Sequence, residues 1–224
     1  MKPIRLLAVI EANSVTGPAK NLLQFAQLAR NSDVPVAVEL ATFRRSEDPG
    51  ILMEAAARAG VPVHLIEERG RFDRSVVASL RQLHKRLEPD LVQSHAVKSH
   101  LLVRLAGLKP WIAFHHGYTW PDARARIYNH ADRWSLRNAA RVLTVSQPFA
   151  AELTRMGVSR DRIQIIHNAI DPQWGQGDAT REQAARLRIE LGIDKGRKVV
   201  LIVGRSLTQG RQDGDISQGV ERLR

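Results

Sequence analysis

The sequence predicts an α/β chain in which helices cover both faces of a parallel sheet. Short β-rich runs alternate with helical stretches along most of the chain, as in a parallel sheet built with right-handed crossovers. The runs at 5–10 (RLLAVI) and 141–145 (RVLTV) are almost continuously apolar, which is typical of strands buried on both faces. Together these features indicate a Rossmann-like sheet.

The individual elements follow from hydrophobic periodicity and from the residues that begin and end helices. Predicted strands cover 4–11, 34–43, 62–66, 90–94, 111–115, 141–146 and 163–167. Predicted helices cover 19–30, 49–59, 73–87, 97–106, 122–138 and 148–156. Asp73 is predicted as an N-cap and Gly60 as a C-cap, and Pro89 ends the helix that begins at Asp73.

The composition of the chain changes after Asp171. We predict a Rossmann-like domain at 1–172, a linker and helix at 173–196, and the incomplete start of a second α/β domain at 197–224. That start includes a buried strand at Lys198–Val203, after which only about 20 residues remain. The hypothesis is a truncated product; the alternatives are a genuine one-domain protein or half of a split enzyme.

Composition and charge exclude several classes of protein. The 224 residues contain no cysteine, which excludes a disulfide scaffold, a cysteine zinc site and a thiol nucleophile. No apolar run is long enough for a membrane span, so a cytoplasmic location is predicted. The formal charge of +11 suggests an anionic partner, but only 5% of residues are aromatic and no nucleic-acid-binding motif is present. We therefore predict no nucleic-acid partner.

The first predicted strand ends in a loop, Asn13–Pro18, that opens a helix. Free backbone amides at a helix N-terminus suit a phosphate group, and Gly17 would let a ligand approach the backbone closely. The dinucleotide pattern G-x-G-x-x-G is absent, so an ordinary strand-to-helix turn remains the alternative.

Four stretches carry a resemblance to a known family. They are GPAKNLL at 17–23, DLVQSHAVKSHLL at 90–102, the His116-Gly117 pair, and TVSQPFAAELTRMGVSRDRIQIIHNAID at 144–171 followed by VGR at 203–205. In order and spacing they resemble the N-terminal half of retaining GT-B glycosyltransferases, glycosyltransferase family 4. Ala169 stands where family members usually have glycine.

The resemblance implies a fold, a reaction and a set of site residues. It implies two Rossmann-like domains, the first holding mostly the acceptor and the second mostly a nucleotide-diphosphate sugar, with no metal ion and no other cofactor. By resemblance the catalytic, donor-sugar-contacting histidine is His116, and the donor diphosphate site includes Gly17, Pro18 and Arg205. The predicted acceptor or sugar contacts are Asn13, His95, Lys98, Tyr118 and Asn168. Retention is explained in the family by front-face attack without a protein nucleophile, and the family's diphosphate lysine after the Gly-Arg step is missing here.

Several of these residues also have structural interpretations. His95 and Lys98 could form a capped turn with a solvated lysine, and Tyr118 with Trp120 could fix its loop instead of stacking on a sugar ring. His115 is expected to face the helical layer. A packing role is predicted for His167 in the last strand. The remaining histidines show no ligand-like pairing with carboxylates, so no metal site is predicted: His64, His84, His100 and His130.

The helix after His116 carries a basic stripe. The stripe includes Arg126, Arg133 and Arg137, which recur at helical spacing, whereas Trp134 is expected to face the core. Such a face could rest on an anionic membrane or meet a phosphorylated lipid acceptor, or it could simply be solvated.

The combined prediction is a glycosyltransferase, or its acceptor-side fragment, that transfers a sugar from a nucleotide-sugar donor to a glycan or lipid-linked acceptor with retention. Bacterial surface polysaccharide or lipopolysaccharide synthesis is the predicted setting, with a separate C-terminal half and the inner face of the cytoplasmic membrane as further partners. The alternative is a non-catalytic glycan-binding module or half of a split enzyme. We expect little activity from this chain alone, because catalysis by positioning is lost steeply when part of a site is missing.

Overall fold

The computed structural model describes residues 2–12, 14–44, 50–70, 73–117, 123–169, 177–194 and 196–200, except the side chains of 123–129. The chain divides into two compact units, Met1–Ala169 and Ile170–Arg224. The first unit contains the sheet, and α7 (Asp178–Glu190) belongs to the second. The side chains of α7 are largely exposed, including Leu187 and Ile189.

Strands and helices alternate throughout the first unit. Its strands are β1 (Ile4–Ile10), β2 (Val36–Arg44), β3 (Val63–Glu67), β4 (Leu91–His95), β5 (Trp111–His115), β6 (Arg141–Thr144) and β7 (Ile163–Ile165). Its helices are α1 (Gly17–Ala29), α2 (Gly50–Arg58), α3 (Ser75–Leu87), α4 (Val97–Ala106), α5 (Ala123–Leu136) and α6 (Gln147–Arg155). The predicted elements of this unit are confirmed, most with ends displaced by one or two residues, and 97–106 and 111–115 match the predicted bounds.

All neighbouring strands of the sheet are parallel, in the order β3-β2-β1-β4-β5-β6-β7. The predicted Rossmann-like α/β class is thus confirmed. The chain runs outward from β1 to β3 and then returns to place β4 on the other side of β1. Ile10 pairs with His95, and His95 pairs in turn with Phe114. The carboxyl ends of β1 and β4 therefore flank the switch point, where open α/β sheets form a ligand-binding crevice.

Two hydrophobic clusters lie on opposite faces of the sheet. In β1, Leu7 and Val9 belong to the cluster that contains buried residues of α3 and α4. The alternate residues Leu6, Ala8 and Ile10 belong to the cluster that contains buried residues of α1 and α2. Since side chains alternate between the faces of a strand, a strand covered on both faces must be apolar at every position. This packing explains the nearly continuous apolar run of β1.

Three sequence predictions about strands and buried side chains are wrong in the structure. Residues 198–200 of the predicted strand Lys198–Val203 are not in a strand, and the rest of it lies outside the described residues. Trp134 is 45% exposed rather than buried, with the guanidinium carbon of Arg104 3.5 Å from its ring centroid. His167 lies beyond β7 and is exposed, with Nδ1 3.1 Å from the carbonyl oxygen of Val145.

None of the helices in the part of the chain that the structure describes combines the length and the apolar composition that a bilayer-spanning segment requires.

Candidate functional site

The candidate site lies at the carboxyl edge of the sheet, around the switch point between β1 and β4. Glu11 directly follows β1, His95 ends β4, and His116 directly follows β5. Lys98 lies in the first turn of α4, two residues after the turn at Ala96. Because parallel strands end at the same edge, residues distant in sequence meet here.

A pair of imidazoles forms one side of the site. His95 Nδ1 lies 3.0 Å from His116 Nε2, which is hydrogen-bonding distance. The ring centroids are 5.4 Å apart and the ring planes differ by 16°. His95 is only 2% exposed, whereas His116 is partly exposed. The sequence predicted both residues as substrate contacts, but of the two only His116 has surface that a ligand could reach.

Neighbouring rings hold His116 in place. The Phe114 ring stacks on it at 4.3 Å between centroids and 22° between planes. Gly117 follows with a φ of +89°, and a Cβ there would overlap the Phe149 ring. Glycine is therefore favoured at 117 both by its left-handed backbone and by the close approach of that ring.

Behind this pair, further histidines are buried in the helical layer. His100 Nδ1 lies 2.7 Å from the Ser94 hydroxyl, which also accepts a hydrogen bond from the Trp111 indole at 2.7 Å. His115 Nδ1 lies 3.6 Å from a carboxylate oxygen of Asp132 in α5, and both residues are buried. The expectation that His115 faces the helical layer is thus confirmed.

Burial lowers the pKa of three histidines, His95, His100 and His116. It lowers the pKa of His116 to about 4, with His100 and His115 adding to the effect. It also lowers the pKa of His100 to about 4, although the Asp132 carboxylate opposes that shift. The pKa of His95 lies well below its ordinary value, because of burial first and of His116 second. Near pH 7 these imidazoles act as neutral hydrogen-bonding groups.

A group of fixed charges forms the other side of the site. Lys98 Nζ lies 2.7 Å from Glu68 and 2.9 Å from Glu11. The Glu68 side chain is only 4% exposed and the Glu11 side chain is 46% exposed. Lys98 Nζ also lies 4.9 Å from the centre of the Phe43 ring at the end of β2. The ammonium of Lys98 is therefore already held by two carboxylates.

The predicted diphosphate loop begins α1. Thr16 caps the helix by accepting a hydrogen bond from the Ala19 amide at 3.4 Å. Gly17 is exposed, and a Cβ built on it meets nothing within 4 Å. Pro18 follows in the first helical turn, where its missing N–H costs no helical hydrogen bond. The fold therefore does not require glycine at 17, and its backbone is open to solvent.

Asn168 reaches the same helix from the end of the sheet. Its side-chain carbonyl accepts a hydrogen bond from the Asn21 amide at 3.2 Å. Since Asn168 follows β7 and Asn21 lies in α1, the chain after β7 returns toward the first strand-to-helix connection. Asn168 is thereby placed beside α1, in an exposed position.

Some arginines of the predicted basic stripe make contacts within the protein and are not simply exposed to solvent. Arg137 donates to the carbonyl oxygen of Met156 at 3.2 Å, at the C-terminal end of α6. Arg133 is partly buried, and its Nε has no hydrogen-bond partner among the described residues. The side chain of Arg126 lies outside the described part of the structure, as do Asn13, Tyr118 and Arg205.

Sequence reasoning missed the two carboxylates that hold Lys98. The available signal was position, because Glu11 follows β1 and Glu68 follows β3, where parallel strands present site residues. It also missed the backbone of Ala96, which turns between β4 and α4 with a φ of +68°. Such a conformation is strained for a residue with a Cβ and leaves no mark in the sequence.

The residues described here contain no group of three or more His, Asp or Glu side chains suited to a metal ion. One histidine does pair with a carboxylate against expectation: His64 Nε2 lies 2.6 Å from Glu39 on the neighbouring strand. A single carboxylate with a single imidazole is a hydrogen-bonded pair rather than a metal site.

Comparison with known proteins places this chain in a family. The model of Glycosyltransferase Family 4 matches residues 22–174. No curated protein matches the chain. HepE from Anabaena, solved in complex with UDP, superposes with a TM-score of 0.65 at 17% identity, covering 84% of this chain and 50% of HepE.

Two further solved structures share the fold. A glycosyltransferase from Rickettsia africae has a TM-score of 0.62 at 13% identity, covering 88% of this chain and 51% of its own. The lipopolysaccharide outer core galactosyltransferase WaaB, in its apo form, has a TM-score of 0.56 at 16% identity, covering 75% of this chain and 46% of its own. The chain thus spans about half the length of these structures. On the match to the family model, the chain belongs to glycosyltransferase family 4.

Proposed function

We propose that this chain forms the acceptor-side domain of a glycosyltransferase that moves a sugar from a nucleotide-diphosphate donor to a glycan or lipid-linked acceptor, with retention at the anomeric carbon. The observation that carries the proposal is the site at the switch point, where His116, Glu11 and the N-terminus of α1 share the edge of a family 4 fold. Open α/β sheets bind their ligands at this place.

The donor end of the proposed site uses neutral hydrogen bonds and backbone amides. His116 would contact a hydroxyl of the donor sugar, and the open backbone at Gly17 and Pro18 would approach the diphosphate. The structures of HepE with UDP and with UDP-glucose support a nucleotide sugar as the donor class for this fold. No metal ion or other cofactor is required in the proposal, and Arg205 would supply a cation to the leaving diphosphate.

In the proposed reaction, the acceptor hydroxyl attacks the anomeric carbon from the face that the diphosphate leaves. One carbon–oxygen bond forms, the bond from the anomeric carbon to the diphosphate breaks, and the hydroxyl proton passes to the departing phosphate oxygen. The protein would act by orientation and by stabilising the charge that develops on the diphosphate. A protein nucleophile is not needed, which is consistent with imidazoles that hydrogen-bond each other.

The acceptor end of the proposed site uses the charged group. Glu11 is half-exposed, and its carboxylate can accept hydrogen bonds from sugar hydroxyls. Since Lys98 is held by Glu11 and Glu68, it would orient carboxylates rather than bind an anionic acceptor by itself. This arrangement favours an acceptor sugar with free hydroxyls. The fold similarity to WaaB supports a lipid-linked glycan as one such acceptor.

Peripheral contact with an anionic membrane is part of the proposal. Trp134 is 45% exposed and stacks under Arg104, so this part of the surface combines an aromatic and a cationic group. Co-sedimentation with vesicles tests it. Binding to phosphatidylglycerol vesicles that falls with Trp134→Ala would support the contact; equal binding to phosphatidylcholine vesicles would contradict it.

Calorimetric titration of the 224-residue chain tests the main proposal. The probes are UDP-glucose, ADP-glucose and GDP-mannose as donors, and a set of oligosaccharides as acceptors. We expect saturable oligosaccharide binding that weakens with Glu11→Gln, weak donor binding, and little transfer by this chain alone. The matched control is Glu54→Gln on α2, whose carboxylate is exposed and pairs with Arg58 within its own helix. Salt-dependent DNA binding with no sugar binding would instead indicate a nucleic-acid-binding protein.

A further inference from the structure

The geometry of the two edge histidines defines a single hydrogen bond. The two ring centroids are 5.4 Å apart, whereas the two facing nitrogens are 3.0 Å apart. The difference is so large that both nitrogens must lie on the line that joins the two centroids. With ring planes only 16° apart, the two imidazoles lie end to end in nearly one plane. A ring N–H and a ring lone pair both lie in the ring plane, so this is the arrangement of a linear N–H···N hydrogen bond.

One proton is shared by this bond, and it can belong to either ring. If His95 donates from Nδ1, its Nε2 is left with a lone pair, and His116 carries its own proton on Nδ1. If His116 donates from Nε2, His95 must carry its proton on Nε2, and His116 Nδ1 is left with a lone pair. The choice therefore fixes what His116 offers to a ligand.

Burial decides between the two arrangements. His95 Nε2 is buried and has no hydrogen-bond partner among the described residues. A buried N–H without an acceptor is rarer in native structures than an acceptor without a donor. The arrangement that leaves a lone pair on His95 Nε2 is therefore favoured, and the proton lies on His95 Nδ1.

We propose that His95 is a positioning residue, which donates its Nδ1–H to His116 Nε2 and holds His116 as the Nδ1–H tautomer. His116 then faces its ligand as a neutral donor. It meets an oxygen acceptor, such as a sugar hydroxyl, and its Nε2 lone pair is not free to act as a base. That His116 meets a sugar rests on the proposed function, whereas the tautomer does not.

Among the residues that the structure describes, His95 is the hydrogen-bond partner seen at His116 Nε2. Phe114 covers one face of the His116 ring. The further titratable groups that act on the pair are His100 of α4 and His115 of β5, and Asp132 of α5 lies beside His115. His95 is thus the residue that sets the proton position on His116.

Nitrogen NMR of the chain tests the proposal without any substrate. Long-range ¹H–¹⁵N spectra of ¹⁵N-labelled protein at pH 7.5 separate protonated from unprotonated ring nitrogens, and His116→Gln assigns the His116 signals. We expect Nδ1 of His116 in the protonated range and Nε2 in the unprotonated range. An Nε2–H tautomer for His116 in the wild-type chain would overturn the proposal.

Two variants of His95 separate positioning from packing. The amide of His95→Asn can still donate from near the Nδ1 position, so His116 should keep its tautomer. His95→Leu fills the space without a donor, so the His116 nitrogen shifts should move to values averaged between the two tautomers. His130→Asn, at an exposed histidine, is the matched control and should leave the His116 shifts unchanged. Unchanged shifts in a folded His95→Leu variant would also overturn the proposal.

The His116 signals distinguish a failure of the proposed function from a failure of the positioning role. If His116 keeps the Nδ1–H tautomer and no sugar or nucleotide sugar moves its signals, the proposed function is wrong and the positioning role stands. If UDP-glucose or an oligosaccharide shifts the His116 signals while Nε2 proves to be protonated, the positioning role is wrong and the site is supported.

Discussion

The two sides of the carboxyl edge use their polar residues in opposite ways. On the side of β1 to β3, Lys98, Glu11 and Glu68 form a compact charged group. On the side of β4 and β5, His95 and His116 are kept neutral by burial and hydrogen-bond each other. The polar groups of one side form ion pairs, whereas those of the other side are neutral and form a hydrogen bond.

The difference shows how one edge of a sheet can present both charged groups and neutral hydrogen-bonding groups to a ligand. A buried carboxylate such as Glu68 is tolerable because a cation faces it, since burying an unpaired charge is costly. A buried imidazole needs no counter-ion because it can lose its proton. Lowering the pH should therefore destabilise the protein through the histidine side. Removing one charged partner should destabilise it through the charged side.

Acidification should have the largest effect and should act through the histidine side. His100 has a pKa of about 4 in the fold against 6.5 when unfolded, so the unfolded chain binds more protons between these values. Stability should be complete above about pH 6.5 and fall as pH decreases to 4, with His100 alone contributing a loss of ~3 kcal/mol. Urea unfolding measured between pH 8 and 4 checks this.

Two comparisons sharpen the acid prediction. His95 and His116 should add to the loss in the same direction, because burial lowers their pKa as well. Asp73, whose pKa is lowered to about 2, should contribute only below its ordinary value of 3.8, outside this window. Stability that is flat between pH 6.5 and 4.5 would contradict the account.

Removing the cation of the charged side should have the next largest effect. Lys98→Met keeps the length of the side chain but removes the ammonium that faces the buried Glu68 carboxylate. We expect a loss of roughly 2–3 kcal/mol in the free energy of unfolding, since one partner of a mostly buried pair is lost. Glu11→Gln, on the half-exposed partner, should cost less than about 1 kcal/mol. Equal losses in the two variants would contradict the account, because the pair of Lys98 with the buried Glu68 would then add nothing to its pair with Glu11.

The two glycines of the site should respond differently to alanine. Gly117→Ala places a Cβ against Phe149 at a φ of +89°, so we expect a loss of about 1–2 kcal/mol and disturbance of the adjacent His116. Gly17→Ala meets no neighbour within 4 Å and should leave stability unchanged or slightly raised. Thermal unfolding of both variants checks this. A stable Gly117→Ala variant would mean that the Phe149 ring moves freely.

Relief of backbone strain should have the smallest effect. Ala96 has a φ of +68° and a ψ of 158° between β4 and α4, a conformation that glycine adopts without a steric penalty. Ala96→Gly should therefore raise stability by about 1 kcal/mol, after the larger unfolded-state entropy of glycine is subtracted. Chemical denaturation measures the change. A loss of stability would show that the backbone at this turn is not strained.

The fold could be predicted because the sheet is covered on both faces. That packing makes β1 and β6 apolar at nearly every position, and the spacing between strands leaves room for one crossover helix each. Trp134 was wrongly assigned to the core because helical spacing does not reveal that Arg104 on α4 can cover its ring at the surface. Val199 and Val200 were wrongly assigned to a strand because an apolar run does not show whether another strand pairs with it.

The candidate site could be located but not resolved from the sequence. The family resemblance predicted His95, Lys98 and His116 as site residues, and the structure places all three at the carboxyl edge of the sheet. The contacts made by each depend on strand order, which puts Glu11 and Glu68 within reach of Lys98 across the sheet. Burial of His95 likewise follows from three-dimensional packing. Sequence alone therefore could not separate a residue that meets ligand from one that positions it.

The most direct test of the central claim is to map where a nucleotide sugar and an oligosaccharide contact the chain. Backbone amide spectra recorded during titration with UDP-glucose and with acceptor oligosaccharides would give that map. We expect the perturbed amides to cluster at Glu11, around Gly17, from His95 to Lys98, and at His116 and Gly117. Saturable perturbation confined to the opposite edge of the sheet, or none with any of these ligands, would contradict the claim that this edge is the sugar-binding site.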